Sequence, residues 1–443
     1  MTTDVKWPAW EDAAFYMEEP EVMYASIAAQ RNAAPVYWYE PPGFPTGFWV
    51  LSKWEHQRFV GSSPELFSSR FGFAIGDASD PSTVIHQLPE WAQEALRAGD
   101  LSHAETRRTI AKGKLSMGDP DFEGLILSDP PRHGNIRSIL MKALRPSLVR
   151  SLKPRIAEIS DAFIAKLEPG AETDFVTTVG RIPAALMTEL IGVPPEMRDE
   201  FIEMASAQML AITIDPNRTQ SEVDRIQVLV ERFHDYCEEL LGKRREVDGE
   251  EKDLVSAIAH SEFEGAPVPQ GLAISFIHTF VNAGETTRAL LSFVAMVLAQ
   301  HPEQRRILTE RPELVGNAIE ETLRCYPLNW SGCRTATQDV EIGGQLIKKD
   351  DYVVMAYASA NRDEDVFDDP DVFDVTRSFD RYHQSFGYGE HSCPGSLLAR
   401  TDATTIFERL LATYPDWELA GPTQRWGTPF LQGMSALPLR FGA

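Results

Sequence analysis

Cysteine is scarce in this 443-residue chain: Cys237, Cys325, Cys333 and Cys393 are the whole complement, and no CxxC or CxxC…HxxxH spacing joins them. Four scattered thiols exclude a disulfide framework and a structural zinc cluster, and they suit a reducing compartment. Positive charge is short as well. Lys and Arg number 42 against 66 Asp and Glu, a formal charge of −24, so nucleic acid is excluded as a partner and anionic lipid is repelled unless a local basic patch forms. Long hydrophobic runs are missing. The most apolar stretches, residues 272–284 and 289–299, are parted by Glu285-Thr286-Thr287-Arg288, and each falls below the ~18 residues that a membrane span needs. The N-terminus has no basic region followed by an apolar one, so no export signal is read and a cytoplasmic location is expected.

What is present is enough apolar material, 43% of residues, for a large core. Alternating aromatic-rich runs at 36–39 and 48–52, around a Pro/Gly segment at 41–47, predict a hairpin. From 131 to 299 apolar residues recur at three- and four-residue spacing, which predicts a succession of long helices. Another helix is expected at 313–325, short strands at 340–347 and 352–355, an Asp/Pro-rich loop at 361–383 and a last helix at 397–414. Neither repeats nor a linker interrupt the chain. The fold class is therefore mainly α with small β segments, and residues 1–443 are read as one domain.

Phe386-Gly387-Tyr388-Gly389-Glu390-His391-Ser392-Cys393-Pro394-Gly395 stands just before that last helix. Its glycines allow tight turns and close approach to a flat ligand, and Cys393 falls where helix N-terminal N–H groups favour a thiolate, a soft ligand for metals such as haem iron. The segment resembles the haem-binding signature of the cytochrome P450 family, FGxGxHxCxG, at all six fixed positions, a match expected by chance in about one chain in 100,000 or fewer. By that resemblance Cys393 is the iron ligand, with Phe386 and Gly387 beside it. Glu321-Thr322-Leu323-Arg324 and Arg377 resemble the family's Glu-Arg-Arg lock, a structural element. His133, Arg137, Arg334 and His391 match the family's partners for the haem propionates.

The apolar segment 270–300 has a polar centre, and burying polar groups there marks a site. Asn282-Ala283-Gly284-Glu285-Thr286 resembles the family's [Ala/Gly]-Gly-x-[Asp/Glu]-Thr, which makes Thr286 the oxygen-binding hydroxyl and Glu285 the acid of the proton relay. The sequence departs from the pattern in placing Asn282 where a small residue is usual and glycine one position later. Asn282, Trp330 and Met434 are candidate pocket residues, with residues 72–124, 328–331 and 431–434 as candidate linings. The segment 72–124 is longer than the family's connection into its next helix. Pro89 and Gly99 bound one helix in it, Ser102 and Glu105 cap a second that Gly113 ends, and Arg97, Arg107, Arg108, Lys112 and Lys114 suit water. A substrate lid is expected.

The resemblance implies a soluble, bacterial-type single haem domain with haem b. It implies a monooxygenase that places one atom of O2 in a lipophilic small molecule. Electrons would come from an external ferredoxin or flavodoxin-like donor, since three remaining cysteines cannot hold a four-thiolate cluster. The alternatives are a peroxide-dependent or non-oxidative haem-thiolate enzyme and a haem-thiolate sensor or ligand carrier; the Glu285-Thr286 pair argues against the enzyme alternatives.

Overall fold

Helix Gln270–Gln300 is apolar almost all round, so it has to run through the interior, and its 31 residues make a spine about 46 Å long. The computed structural model describes residues 7–42, 44, 46–75, 85, 88–115, 124–212, 218–247 and 253–442. Leu272, Phe276, Ile277 and Phe280 on the first half of the spine pack with Ile136 and Leu140 of helix Arg132–Ala143 and with Phe201 and Phe233. Leu290, Phe293, Val294 and Val297 on the second half pack with Leu186, Ile319, Phe407 and Leu410. Helix Val315–Cys325 and helix Ser396–Thr413 are thereby fixed against one another and against the spine.

Beside this helical body lies a five-stranded sheet in the order Val36–Tyr39, Phe48–Leu51, Tyr352–Met355, Gly332–Ala336, Phe67–Ser68. Phe48–Leu51 pairs antiparallel with Val36–Tyr39, the expected hairpin, and parallel with Tyr352–Met355, which joins the two ends of the chain. A three-stranded sheet of Trp417–Leu419, Pro438–Phe441 and Glu172–Asp174 was not legible in the sequence, because three- and four-residue strands show no periodicity.

Glu321 and Arg324 are fully buried, and Glu321 Oε2 accepts from Arg324 Nε at 2.7 Å. Arg377 Nε donates to the same carboxylate at 3.0 Å. The guanidiniums also donate to backbone carbonyls, Arg324 to Asn361, Pro370 and Val372, and Arg377 to Asp369 and Val372. Every buried charge is thus partnered, the condition on which such a cluster is tolerated. Asn361 carries the constraint onward: its Oδ1 accepts from Gln384 N at 2.6 Å and its Nδ2 donates to Ser385 Oγ at 2.8 Å.

In the segment 72–124, residues 76–84, 86–87 and 116–123 lie outside the described residues. Helix Glu90–Arg97 starts after Pro89, and helix His103–Leu115 carries the Ser102–Glu105 capping box, with Ser102 Oγ 2.8 Å from Glu105 Oε2. Two expectations need correction. Gly113 does not end its helix but lies inside it, where a Cβ would crowd Ala92 and Leu88 of the neighbouring helix region. Arg107 is not solvated: it is buried over the Tyr352 ring, 4.6 Å away, and donates to the Asp350 carbonyl at 3.1 Å, fastening this helix to the sheet.

Candidate functional site: a cysteine loop facing the central helix

The loop before helix Ser396–Thr413 is turned by hydrogen bonds from Gly387 N to Gln384 O at 2.7 Å and from Cys393 N to Phe386 O at 2.8 Å. Gly389 has φ +72°, and a Cβ there would run into the Gly61 carbonyl, so glycine is required where the loop presses on helix Trp54–Ser62. Cys393 is half-buried, with the backbone N–H groups of Gly395 and Ser396 close enough to its sulfur to favour the charged form. Burial pushes the Cys393 thiol up, while those N–H groups and the Arg137 and Arg400 guanidiniums oppose it. The helix terminus alone therefore does not win, contrary to the sequence expectation; the thiolate forms when a cation binds the sulfur.

Four potential cations gather near the loop. The His133 and His391 rings lie 4.0 Å apart, Arg137 Nη2 donates to Ser392 Oγ at 3.4 Å, and Arg334 reaches the Cys333 carbonyl at 2.6 Å. Burial, with the Arg137 and Arg334 charges, holds His133 at about 4 and His391 at about 2, so both rings are neutral near pH 7. His133 Nε2 and Arg137 Nη1 are buried without a hydrogen-bond partner. Unpaired buried donors are costly unless an acceptor arrives with a ligand. A soft sulfur ligand near two backbone N–H groups, beside the unpaired His133 Nε2 and Arg137 Nη1, fits a haem, whose iron Cys393 would hold and whose propionates His133, Arg137, Arg334 and His391 would meet.

On the central helix, Thr286 Oγ1 lies 3.2 Å from the Asn282 carbonyl and 3.3 Å from that of Ala283. Its hydroxyl proton is held by the preceding turn. Glu285 is paired with Arg288 instead of with Thr286. Gly284 is explained by packing: a Cβ there would meet the Ala184 backbone at 3.3 Å, so this glycine lets helix Ile182–Ile191 approach. Trp330 is buried against Tyr16 in the N-terminal core, and Met434 is buried in the cluster around the second half of the spine. Phe430, which the sequence reading did not single out, packs edge-on to Phe73 with centroids 5.3 Å apart.

The family profile described as Cytochrome P450 matches residues 196–426. A linalool 8-monooxygenase from Pseudomonas putida is 33% identical over 94% of this chain and 95% of its own length. The chain belongs to the cytochrome P450 family. A second relative, a vitamin D(3) 25-hydroxylase from Pseudonocardia autotrophica, is 31% identical over 85% of this chain and 96% of its own. The solved structure of CYP108D1 from Novosphingobium aromaticivorans matches with TM-score 0.79 at 24% identity, covering 98% of this chain and 97% of that one, which shows the fold. The protein is thus a P450 monooxygenase, with haem iron as its cofactor, and no helix among the described residues is long and apolar enough to cross a membrane.

Sequence reading missed the second network that steadies the P450 cysteine loop. Arg400 stacks 4.4 Å from the Phe386 ring centroid and forks onto Glu320 at 2.6 and 2.8 Å, and His383 Nε2 lies 3.2 Å from the same carboxylate. Burial pushes Glu320 up, but hydrogen bonds from His383 and Arg400 outweigh it and hold this acid at about 2. Burial also holds His383 below its ordinary value, so the ring bonds Glu320 while neutral, and Arg400 supplies the charge. Only tertiary structure pairs residues 80 apart in sequence. A carboxyl depressed on folding contributes stability above its unfolded value, near 4.5, and loses it as the pH falls through about 2. The thermal midpoint of wild type is therefore expected to drop more steeply than that of Glu320→Gln between about pH 4.5 and 2.5; parallel melting curves across that range would refute the assignment.

Proposed function

We propose that residues 1–443 act as one P450 haem domain, with haem b, placing one atom of O2 in a C–H bond or heteroatom of a lipophilic small molecule in the cytoplasm. The observation that carries this reading is the Cys393 sulfur under two backbone N–H donors, beside the unpaired His133 Nε2 and Arg137 Nη1. Haem, when bound, supplies oxygen activation and the two-electron chemistry that side chains lack. Cys393 holds the iron, and its N–H donors temper the charge on sulfur. His133, Arg137, Arg334 and His391 anchor the carboxylates. Thr286 Oγ1 holds a proton one turn from Asn282 and can turn it from the backbone carbonyls toward the pocket. Glu285, on leaving Arg288 and taking up a proton from solvent, would pass that proton to Thr286, so this pair gates the relay. The relative named for linalool makes linalool the first substrate to try.

Electrons come from an external ferredoxin or flavodoxin-like donor. Of the basic residues near the loop, Arg132 stacks on Phe263 and lies 3.9 Å from Glu264, Arg137 turns to Ser392, and Arg400 is held by Glu320. Lys142 and Arg145 remain exposed at a cleft also lined by Ser138, Met141, Ala257 and Ser261, and they offer an acidic donor its charge contacts.

Cys393→Ala is expected to remove the thiolate-type Soret band of the reduced CO complex, and retention of that band would overturn the haem reading. Thr286→Ala is expected to keep substrate binding within about threefold while diverting most reducing equivalents to peroxide; an unchanged ratio of product to reductant would take Thr286 out of the relay. Reversing Lys142 and Arg145 to Glu should slow reduction by an acidic ferredoxin roughly tenfold at low salt and little at high salt. Equal rates at low salt would place the docking face elsewhere.

A further inference from the structure

The central helix carries one polar arrangement that oxygen activation does not use. His278 is buried in the apolar cluster on the first half of the spine, its ring edge-on to Phe233 at 6.1 Å. One turn on, Asn282 Nδ2 lies 2.9 Å from His278 Nε2. Burial alone holds His278 at about 4, so near pH 7 the ring is neutral and Nε2 can accept from the amide. With the imidazole proton on Nδ1, the amide is held with Nδ2 on the histidine and Oδ1 turned away. Asn282 Oδ1 is buried and has no hydrogen-bond donor. The next turn carries Thr286, which bonds the Asn282 backbone carbonyl, so the orphan oxygen stands one helical turn from the hydroxyl assigned to oxygen handling.

A buried acceptor without a donor keeps the full cost of its desolvation, and two polar side chains in an apolar helix face add to that cost. His278 and Asn282 satisfy each other only in part. A ligand that brings one donor completes the arrangement.

We infer that the His278–Asn282 pair is a specificity site that accepts a hydrogen bond from a substrate hydroxyl, and so selects lipophilic alcohols over ethers, ketones and hydrocarbons of the same shape. Asn282 touches the substrate, and His278 is a positioning residue that sets which face of the amide it meets. This rests on the monooxygenase reading given above. A site built to pair with a hydroxyl rejects the analogue lacking it because its own polar atom is left bare. The bound hydroxyl would anchor the molecule at Asn282 and leave an apolar portion for oxidation.

The test uses the full-length holoprotein and a matched panel: linalool with its methyl ether, and 1-decanol with 1-methoxydecane, 2-decanone and decane. Dissociation constants are read from the ligand-induced Soret shift. Wild type is expected to bind each alcohol roughly tenfold more tightly than its ether, the worth of one hydrogen bond, and Asn282→Leu is expected to level the series. His278→Leu should lose most of the preference, and His278→Gln, which can still bond the amide, should keep it. The reduced-CO band is recorded for every variant: a wild type without the thiolate band defeats the haem reading, whereas a normal band with equal affinities for alcohols and ethers defeats only this inference. Tighter binding of the ketone, or alcohols that give no shift at all, also overturns it. So does a preference that survives Asn282→Leu.

Discussion

One buried carboxylate, Glu321, holds two guanidiniums that come to it from 3 and 56 residues further along the chain. Arg324 is its neighbour on the same helix, and Arg377 arrives from a loop that has no regular structure of its own. A loop of that kind has few ways to keep its shape. Here its carbonyls at Asp369, Pro370 and Val372 are spent on the two arginines, so the charge cluster and the loop define one another. Removing the carboxylate would leave two buried cations opposed, which is far costlier than never having buried them. Through Asn361 the same cluster sets where Gln384 and Ser385 lie, and Phe386 and Cys393 follow from them.

The cysteine loop is therefore held from two sides. The Glu321 cluster fixes its entry, and the Glu320, His383 and Arg400 network fixes the helix that leaves it. Adjacent residues on one helix, Glu320 and Glu321, thus serve two networks on two faces. A sulfur that must meet a metal in a set position gains from such rigidity, because the cost of ordering the loop is met by folding and not by ligand binding.

The central helix shows the opposite economy. Most of its surface is packed, yet at Asn282, Glu285, Thr286 and Arg288 it keeps polar groups that only partly satisfy one another. Gly284 shows how the fold constrains these few residues, because it allows the approach of helix Ile182–Ile191.

The residues from Phe386 to Gly395, the Glu-x-x-Arg pair and the polar break in an apolar helix were all readable in the sequence, since each is a short-range pattern whose chemistry needs those residue types at that spacing. So were the helices, which repeat their apolar positions over many turns. The sequence alone thereby determined the family and the mainly helical class, and it supplied Cys393 as the proposed iron ligand. Tertiary structure decided what depends on residues far apart in the chain: that Trp330 and Met434 belong to cores, that Arg107 is buried and Arg400 is committed to Glu320, and that His278 fixes the Asn282 amide. The physical reason is that a side chain's desolvation and partners are set by what packs against it. Neither is encoded within the few residues on either side.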